Sequence, residues 1–144
     1  MLGLCGGYQM LGLTVRDPHG AEGERREAEG LGLLKVSTVM EPEKTVRDVA
    51  GTSPAFGAEV SGYEIHMGVT ESGRNREALE GDGRVSDDGL VFGTYLHGLF
   101  LNPTAVNALL SYLFAQKGLV FTPIPAGGSD PYDLLADLYE EHVD

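Results

Sequence analysis

Gly3-Leu4-Cys5-Gly6-Gly7 holds the single cysteine of this 144-residue chain, with glycine at both minus two and plus two. Small-x-nucleophile-x-small is the pattern of a sharp strand-to-helix turn. Such a turn forces the nucleophile into a strained backbone region and leaves room only for small neighbours. Met1-Leu2 leads in like the end of a buried strand, and Gly7-Tyr8-Gln9-Met10-Leu11 leads out like a first helical turn. A thiol placed there sits over free backbone N–H groups and the positive end of a helix dipole, which favour the thiolate. A lone cysteine is more often a small buried apolar residue. Glycine on both sides, ahead of a helix, turns the reading toward a nucleophile. Only four residues precede Cys5, where a complete strand is expected. The chain therefore reads as the C-terminal part of a larger domain, or as one that begins downstream of its true start.

Composition sets the outer bounds. The length suits one domain with a real core, and 42% apolar residues are enough to fold it. No apolar run is long enough to cross a bilayer, and the start has no signal-peptide pattern. One cysteine forms no internal disulfide, so a reducing, cytoplasmic setting is the expectation. Ten Lys and Arg against 22 Asp and Glu give a net charge of −12, which opposes binding to nucleic acid or to an anionic membrane. No Cys/His cluster has zinc spacing, so no metal ligands are assigned, and no Walker-type phosphate loop is present.

Elements follow from periodicity and punctuation. Arg16 to Gly30 is polar and glycine-rich and reads as a surface excursion. Leu31–Val39 and Val60–Ile65 read as strands, and Leu90–Leu96 as a buried strand. Between the last two, Ser72 to Gly89 reads as a hairpin or loop. Pro103 to Lys117 is the best helix, capped by Asn102, with Val106, Leu109, Leu110, Leu113 and Phe114 on one face. Asp130-Pro131 opens a second such pattern, with Leu134, Leu135, Leu138 and Tyr139 as its stripe.

A cysteine nucleophile needs a base. Of four histidines, His142 lies among acids in the tail and His19 in the polar excursion. His66, in Gly62-Tyr63-Glu64-Ile65-His66-Met67-Gly68, and His97, in Gly93-Thr94-Tyr95-Leu96-His97-Gly98, both follow strand candidates and are bracketed by glycine. Strand ends are where α/β sheets present side chains to a crevice. His97 ends the more apolar strand and is the better base. Each histidine taken alone could equally be satisfied by hydrogen bonds in a turn. Glu64 alternates with Tyr63 and Ile65, which places its charge outward or toward a partner. Tyr8, Tyr63 and Tyr95 are given no chemistry.

These motifs, with Asp17-Pro18-His19-Gly20-Ala21-Glu22-Gly23 and Gly30-Leu31-Gly32-Leu33-Leu34, resemble the glutamine amidotransferase domain of cobyric acid synthase, in the right order over nearly the whole chain. The resemblance implies an α/β class I glutamine amidotransferase-like (flavodoxin-like) three-layer sandwich, with a mostly parallel sheet flanked by helices, truncated at its N-terminus. Residues 1–144 would be the C-terminal part of that domain. It implies that Cys5 attacks the side-chain amide of glutamine, that His97 is its base, and that the Gly6 N–H donates to the oxyanion. Gln9 would hold the substrate, and Tyr63, Glu64, Ile65 and His66 would line its pocket, largely through backbone groups. Leu99 stands where many relatives carry a glutamate that orients the histidine, so a dyad is expected. A backbone carbonyl and Glu64 are candidates to orient the His97 ring. No cofactor is implied in this chain. ATP and magnesium would belong to an absent synthetase domain, which activates corrinoid carboxylates for amidation.

Competing readings are a non-catalytic docking remnant of such an enzyme, the amidotransferase subunit of a related amide-forming ligase, and a cysteine hydrolase on a similar sheet. Without the loop that supplies a second oxyanion donor, the chain alone is expected to be weakly active or inactive.

Overall fold

The computed structural model describes residues 1–125, apart from Arg25 and Ser72. The patterned tail from Asp130, with His142, lies outside the described residues. Eight strands form two four-stranded sheets. The first has β1 (Leu2–Leu4), β6 (Arg76–Leu79), β7 (Asp82–Val85) and β8 (Phe92–Thr94), in the order β1-β8-β7-β6. The second has β2 (Thr14–Arg16), β3 (Glu27–Glu29), β4 (Ser37–Ser53) and β5 (Ala58–Thr70), in the order β3-β2-β4-β5. Helix α1 (Gly6–Leu11) follows β1, and α2 (Pro103–Gln116) follows a 3-10 turn, Leu99–Leu101.

The class is α/β, and the pairing is mixed. β1/β8 and β2/β4 run parallel; the other four pairs are antiparallel. This departs from a mostly parallel sheet for a local reason. Short connections return the chain alongside itself, as at Glu80-Gly81, where Gly81 takes φ 76° between the paired Leu79 and Asp82. The parallel β1/β8 pair is the one that matters for chemistry. Leu2, Gly3 and Leu4 pair with Phe92, Gly93 and Thr94, so Cys5 and the segment leading to His97 leave at the same end.

Several boundaries move. The strand expected at Leu31–Val39 starts at Ser37 and runs to Ser53, although Leu34 and Val36 before it are buried. The added length, Met40 to Ser53, is polar and includes Pro42; β5 holds it in place by long-range pairing, with a bulge between Met40 and Thr45. The excursion contains β3, paired with β2. His66 lies inside β5 rather than at a strand end.

Helix α2 forms as its punctuation predicts: the Asn102 side chain accepts from the N–H groups of Thr104 and Ala105, and Pro103 occupies the first turn. Its buried face is set by Ala105 and Leu109, flanked by Tyr112 and Leu113, which is rotated from the expected face of larger residues. That face joins Val60, Leu79, Val85, Phe92, Leu96 and Leu99 in one core. A second core, Tyr8, Leu11, Leu34, Val36 and Tyr95, lies beneath α1. Fully burying a side chain such as Leu34 or Leu96 contributes roughly 1.5–3 kcal/mol.

Candidate active site

Cys5 sits between β1 and α1 with φ 51° and ψ −114°, the one non-glycine residue with positive φ among the described residues. An L-residue persists there only when its surroundings force it. Its N–H donates to the Thr94 carbonyl at 2.9 Å, and its own carbonyl accepts from Tyr8 and Gln9. These bonds fix the turn from both sides. Gly3 is required: a Cβ there would stand 2.6 Å from the Gly7 carbonyl oxygen. Around Gly6 and Gly7 there is open space, so steric crowding does not demand glycine on that flank.

The Cys5 thiol donates to the Ile65 carbonyl, with Sγ 3.6 Å from the oxygen. It opens on a cavity of about 520 Å³. Gly6 and Gln9 of α1 and Ile65, His66 and Met67 of β5 line one part of it; Asp17, Glu22 and Glu27 of the excursion, with Met40 and Lys44, line another. Gly6 begins α1, where N–H groups have no intrahelical acceptor.

The excursion, read from sequence as a plain surface segment, therefore lines the cavity on which the thiol opens. Asp17 organises it and is itself buried. Its carboxylate accepts from the N–H groups of Ala21 and Glu22, at 2.8 and 2.9 Å. Donation from Glu22, reinforced by Ala21 and Gly20, holds the Asp17 carboxyl below the usual range.

The other candidates separate. Ile65 and His66 border the thiol cavity, whereas Tyr63 and Glu64 are not among its lining residues. Tyr63 exchanges backbone hydrogen bonds with His97, and their rings stack at 5.1 Å, inclined by 9°. Gly62 permits this approach, since a Cβ there would run into the His97 carbonyl. No hydrogen bond joins the Cys5 thiol to His97, and His97 does not line the cavity. The ring nitrogen Nε2 of His97 is buried without a hydrogen-bond partner among the described residues. Tyr63 and Ile65 are two positions apart on β5, about 7 Å along the strand, so the contacts of His97 and of Cys5 lie close on one edge. His19 is exposed and outside the cavity.

Of the two expected placements for the Glu64 charge, outward or toward a partner, the outward one does not hold: Glu64 is buried and accepts from Arg47 Nε at 2.8 Å. Its Oε2 also lies 3.6 Å from His66 Nε2, so the ring it neighbours is His66, not His97. Of the His66 nitrogens, Nδ1 is hydrogen-bonded to the Gly68 carbonyl oxygen at 2.7 Å, and Nε2 only neighbours Glu64. Glu64, Arg47 and His66 border a second cavity of about 170 Å³, together with Asp82, Arg84 and Tyr95. Burial raises the Tyr95 phenol above its ordinary range, so it remains a hydroxyl. Tyr95 was read from sequence as having no chemistry, and Arg47 went unnoticed there; only the β4/β5 register, which sets Arg47 opposite Glu64, makes Arg47 legible.

Among the described residues, no three or more His, Cys, Asp and Glu side chains are arranged to hold a metal ion, and no helix is long and apolar enough to cross a membrane. Residues 1–105 match the CobB/CobQ-like glutamine amidotransferase domain. The chain is 55% identical to a probable cobyric acid synthase of Methanoregula boonei, an alignment covering 100% of this chain and 31% of that protein. It is also 55% identical to a probable cobyric acid synthase of Methanosphaerula palustris, over 99% of this chain and 31% of the relative. With the cobyric acid synthase of Methylorubrum populi it shares 47% identity over 100% of this chain and 30% of the relative. The chain thus spans less than a third of the length of these relatives. With Cys5 on its strained turn and more than half of the sequence matched, this chain belongs to the CobB/CobQ-like glutamine amidotransferase family.

Proposed function

We propose that this chain is the glutamine-hydrolysing part of a cobyric acid synthase. The observation that carries the reading is Cys5, held in a strained strand-to-helix turn beside a cavity bordered by Gly6, Gln9, Ile65 and His66. The thiolate attacks the side-chain carbonyl carbon of glutamine, and the carbonyl electrons move onto oxygen. The Gly6 N–H donates to that oxyanion. Collapse breaks the C–N bond; ammonia leaves with a proton from the base, and a glutamyl thioester remains. Water, deprotonated by the same base, cleaves the thioester to glutamate and restores the thiol.

His97 is the base in this reading. Its buried Nε2 has no hydrogen-bond partner among the described residues, whereas Nδ1 of His66 is held by the Gly68 carbonyl. Catalytic hydrogen bonds are often long before substrate binds, and what supports the pairing is that His97 and the thiol contact Tyr63 and Ile65, two positions apart on β5. In the full-length synthase, a separate synthetase part would use ATP and magnesium to activate corrinoid carboxylates, and the ammonia would convert them to amides. Such chemistry belongs in the cytoplasm, where the thiol stays reduced.

A diazoketone analogue of glutamine tests the reading. Cys5 should be alkylated, free glutamine should protect it, and His97→Ala should slow labelling at least 10-fold. Labelling indifferent to glutamine would point instead to a hydrolase of other substrates. No labelling at all would mean a non-catalytic module.

A further inference from the structure

We propose that Arg47 and Glu64 are positioning residues for glutamine binding, acting through His66 and Tyr95 on the side chain of Gln9. The proposal rests on the glutaminase reading above. Nothing in the sequence motifs marks Arg47, and the motif that contains Glu64 suggested a pocket-lining backbone. The structure links them differently.

Glu64 keeps only 3% of its side chain exposed. A carboxylate so withdrawn from water is strongly unfavourable unless paired. Arg47, directly opposite across the β4/β5 ladder, supplies the partner at 2.8 Å. Its own side chain is 62% exposed, so the exposed Arg47 anchors a buried chain of contacts. The Glu64 oxygen that receives Arg47 also faces His66 Nε2 at 3.6 Å. His66 follows two positions later on the same face of β5. Its Nδ1 donates to the Gly68 carbonyl, an obligate acceptor, at 2.7 Å. Held at Nδ1 and facing Glu64 at Nε2, the ring lies flat against Tyr95, with centroids 3.8 Å apart and planes inclined by 17°.

Tyr95 passes the constraint to the cavity. Its hydroxyl meets Thr70 Oγ1 at 2.7 Å and accepts from Gln9 Nε2 at 3.3 Å. With the Gln9 amide nitrogen committed to Tyr95, its Oε1 is the free polar end. Gln9 borders the thiol cavity, and in this proposal its Oε1 is the acceptor for an N–H donor of the substrate, either the α-ammonium group or the carboxamide of glutamine. Arg47, Glu64 and Tyr95 do not border this cavity. They act on the substrate only through the two residues that do, Gln9 and His66.

A thiol-alkylation assay on the intact chain separates this role from general stability. Iodoacetamide modifies Cys5 at a measurable rate, and the glutamine concentration that halves this rate reports affinity. Arg47→Met and Glu64→Gln should raise that concentration at least 10-fold, while the rate without glutamine stays within two-fold of wild type. Arg47→Lys, which keeps the charge, should remain within three-fold of wild type in both measures. Glu64→Gln is nearly isosteric, so it decides the matter if Arg47→Met fails to fold. Protection of Glu64→Gln at the wild-type concentration would overturn the proposal. So would a basal rate that changes in parallel with protection, since that is what a loosened fold produces. If glutamine fails to protect wild type, the glutaminase reading itself falls and takes this proposal with it.

Discussion

Cys5 occupies a backbone conformation that suits glycine, and the chain keeps a cysteine there. Conformations of this kind cost about 1–3 kcal/mol when the residue carries a side chain. Cys5→Gly should therefore fold more stably than Cys5→Ala by about 1–2 kcal/mol in urea denaturation, because only alanine keeps the strained Cβ. Neither variant should react with the glutamine analogue. Equal stability of the two would show that the turn is relaxed. The neighbouring glycines differ in kind. Gly3 is fixed by the approach of the Gly7 carbonyl, a contact between strand and helix, whereas Gly6 and Gly7 face open space. The pattern marks the turn reliably, yet it does not tell which glycine is sterically required.

Among the elements, the long β4/β5 hairpin gathers most of the site. It supplies Ile65 to the thiol, Tyr63 to His97, and the Arg47–Glu64 pair beneath His66. Gly62 lets β5 touch the segment after β8. Gly62→Ala is expected to break the Tyr63–His97 backbone bonds, since the new Cβ meets the His97 carbonyl. The measurable outcome is faster hydrogen exchange at the His97 amide, together with slower Cys5 labelling by the glutamine analogue. Unchanged exchange would mean that the bridge is not what holds His97. Helix α2 offers a control remote from the chemistry. Asn102→Ala removes the cap on Thr104 and Ala105 and should destabilise the chain by about 1 kcal/mol, with labelling of Cys5 unaffected.

Over the described residues, one half-buried acid stands out. Asp82 accepts from the Thr94 hydroxyl and from the Tyr95 N–H, but burial outweighs these bonds and raises its carboxyl above the ordinary range. Folded protein then holds this proton more tightly than unfolded protein. Stability from this group is full below the unfolded carboxylate value, about 4, and falls as pH rises through the folded value. Asp82→Asn should flatten that part of the curve, so its stability relative to wild type improves from acid to neutral pH in denaturant titrations. An unchanged difference across that range would place Asp82 in a solvated setting. By contrast, Lys35 and Asp87 pair at 2.6 Å on the exposed surface, where an ion pair adds little.

Local sequence determined the strained cysteine turn, the capped helix from Pro103, and the buried strand ahead of His97, because each depends on near neighbours and short-range periodicity. The order of the motifs was also enough to show the resemblance, which the match over residues 1–105 bears out as family membership. Tertiary structure alone decided the rest. The extent of β4, the inward turn of Glu64, its pairing with Arg47, and the place of Asp17, Glu22 and Glu27 on the thiol cavity all depend on contacts between segments distant in sequence. A strand's two faces look alike in sequence when both carry polar residues, so only its partner settles which charge is buried.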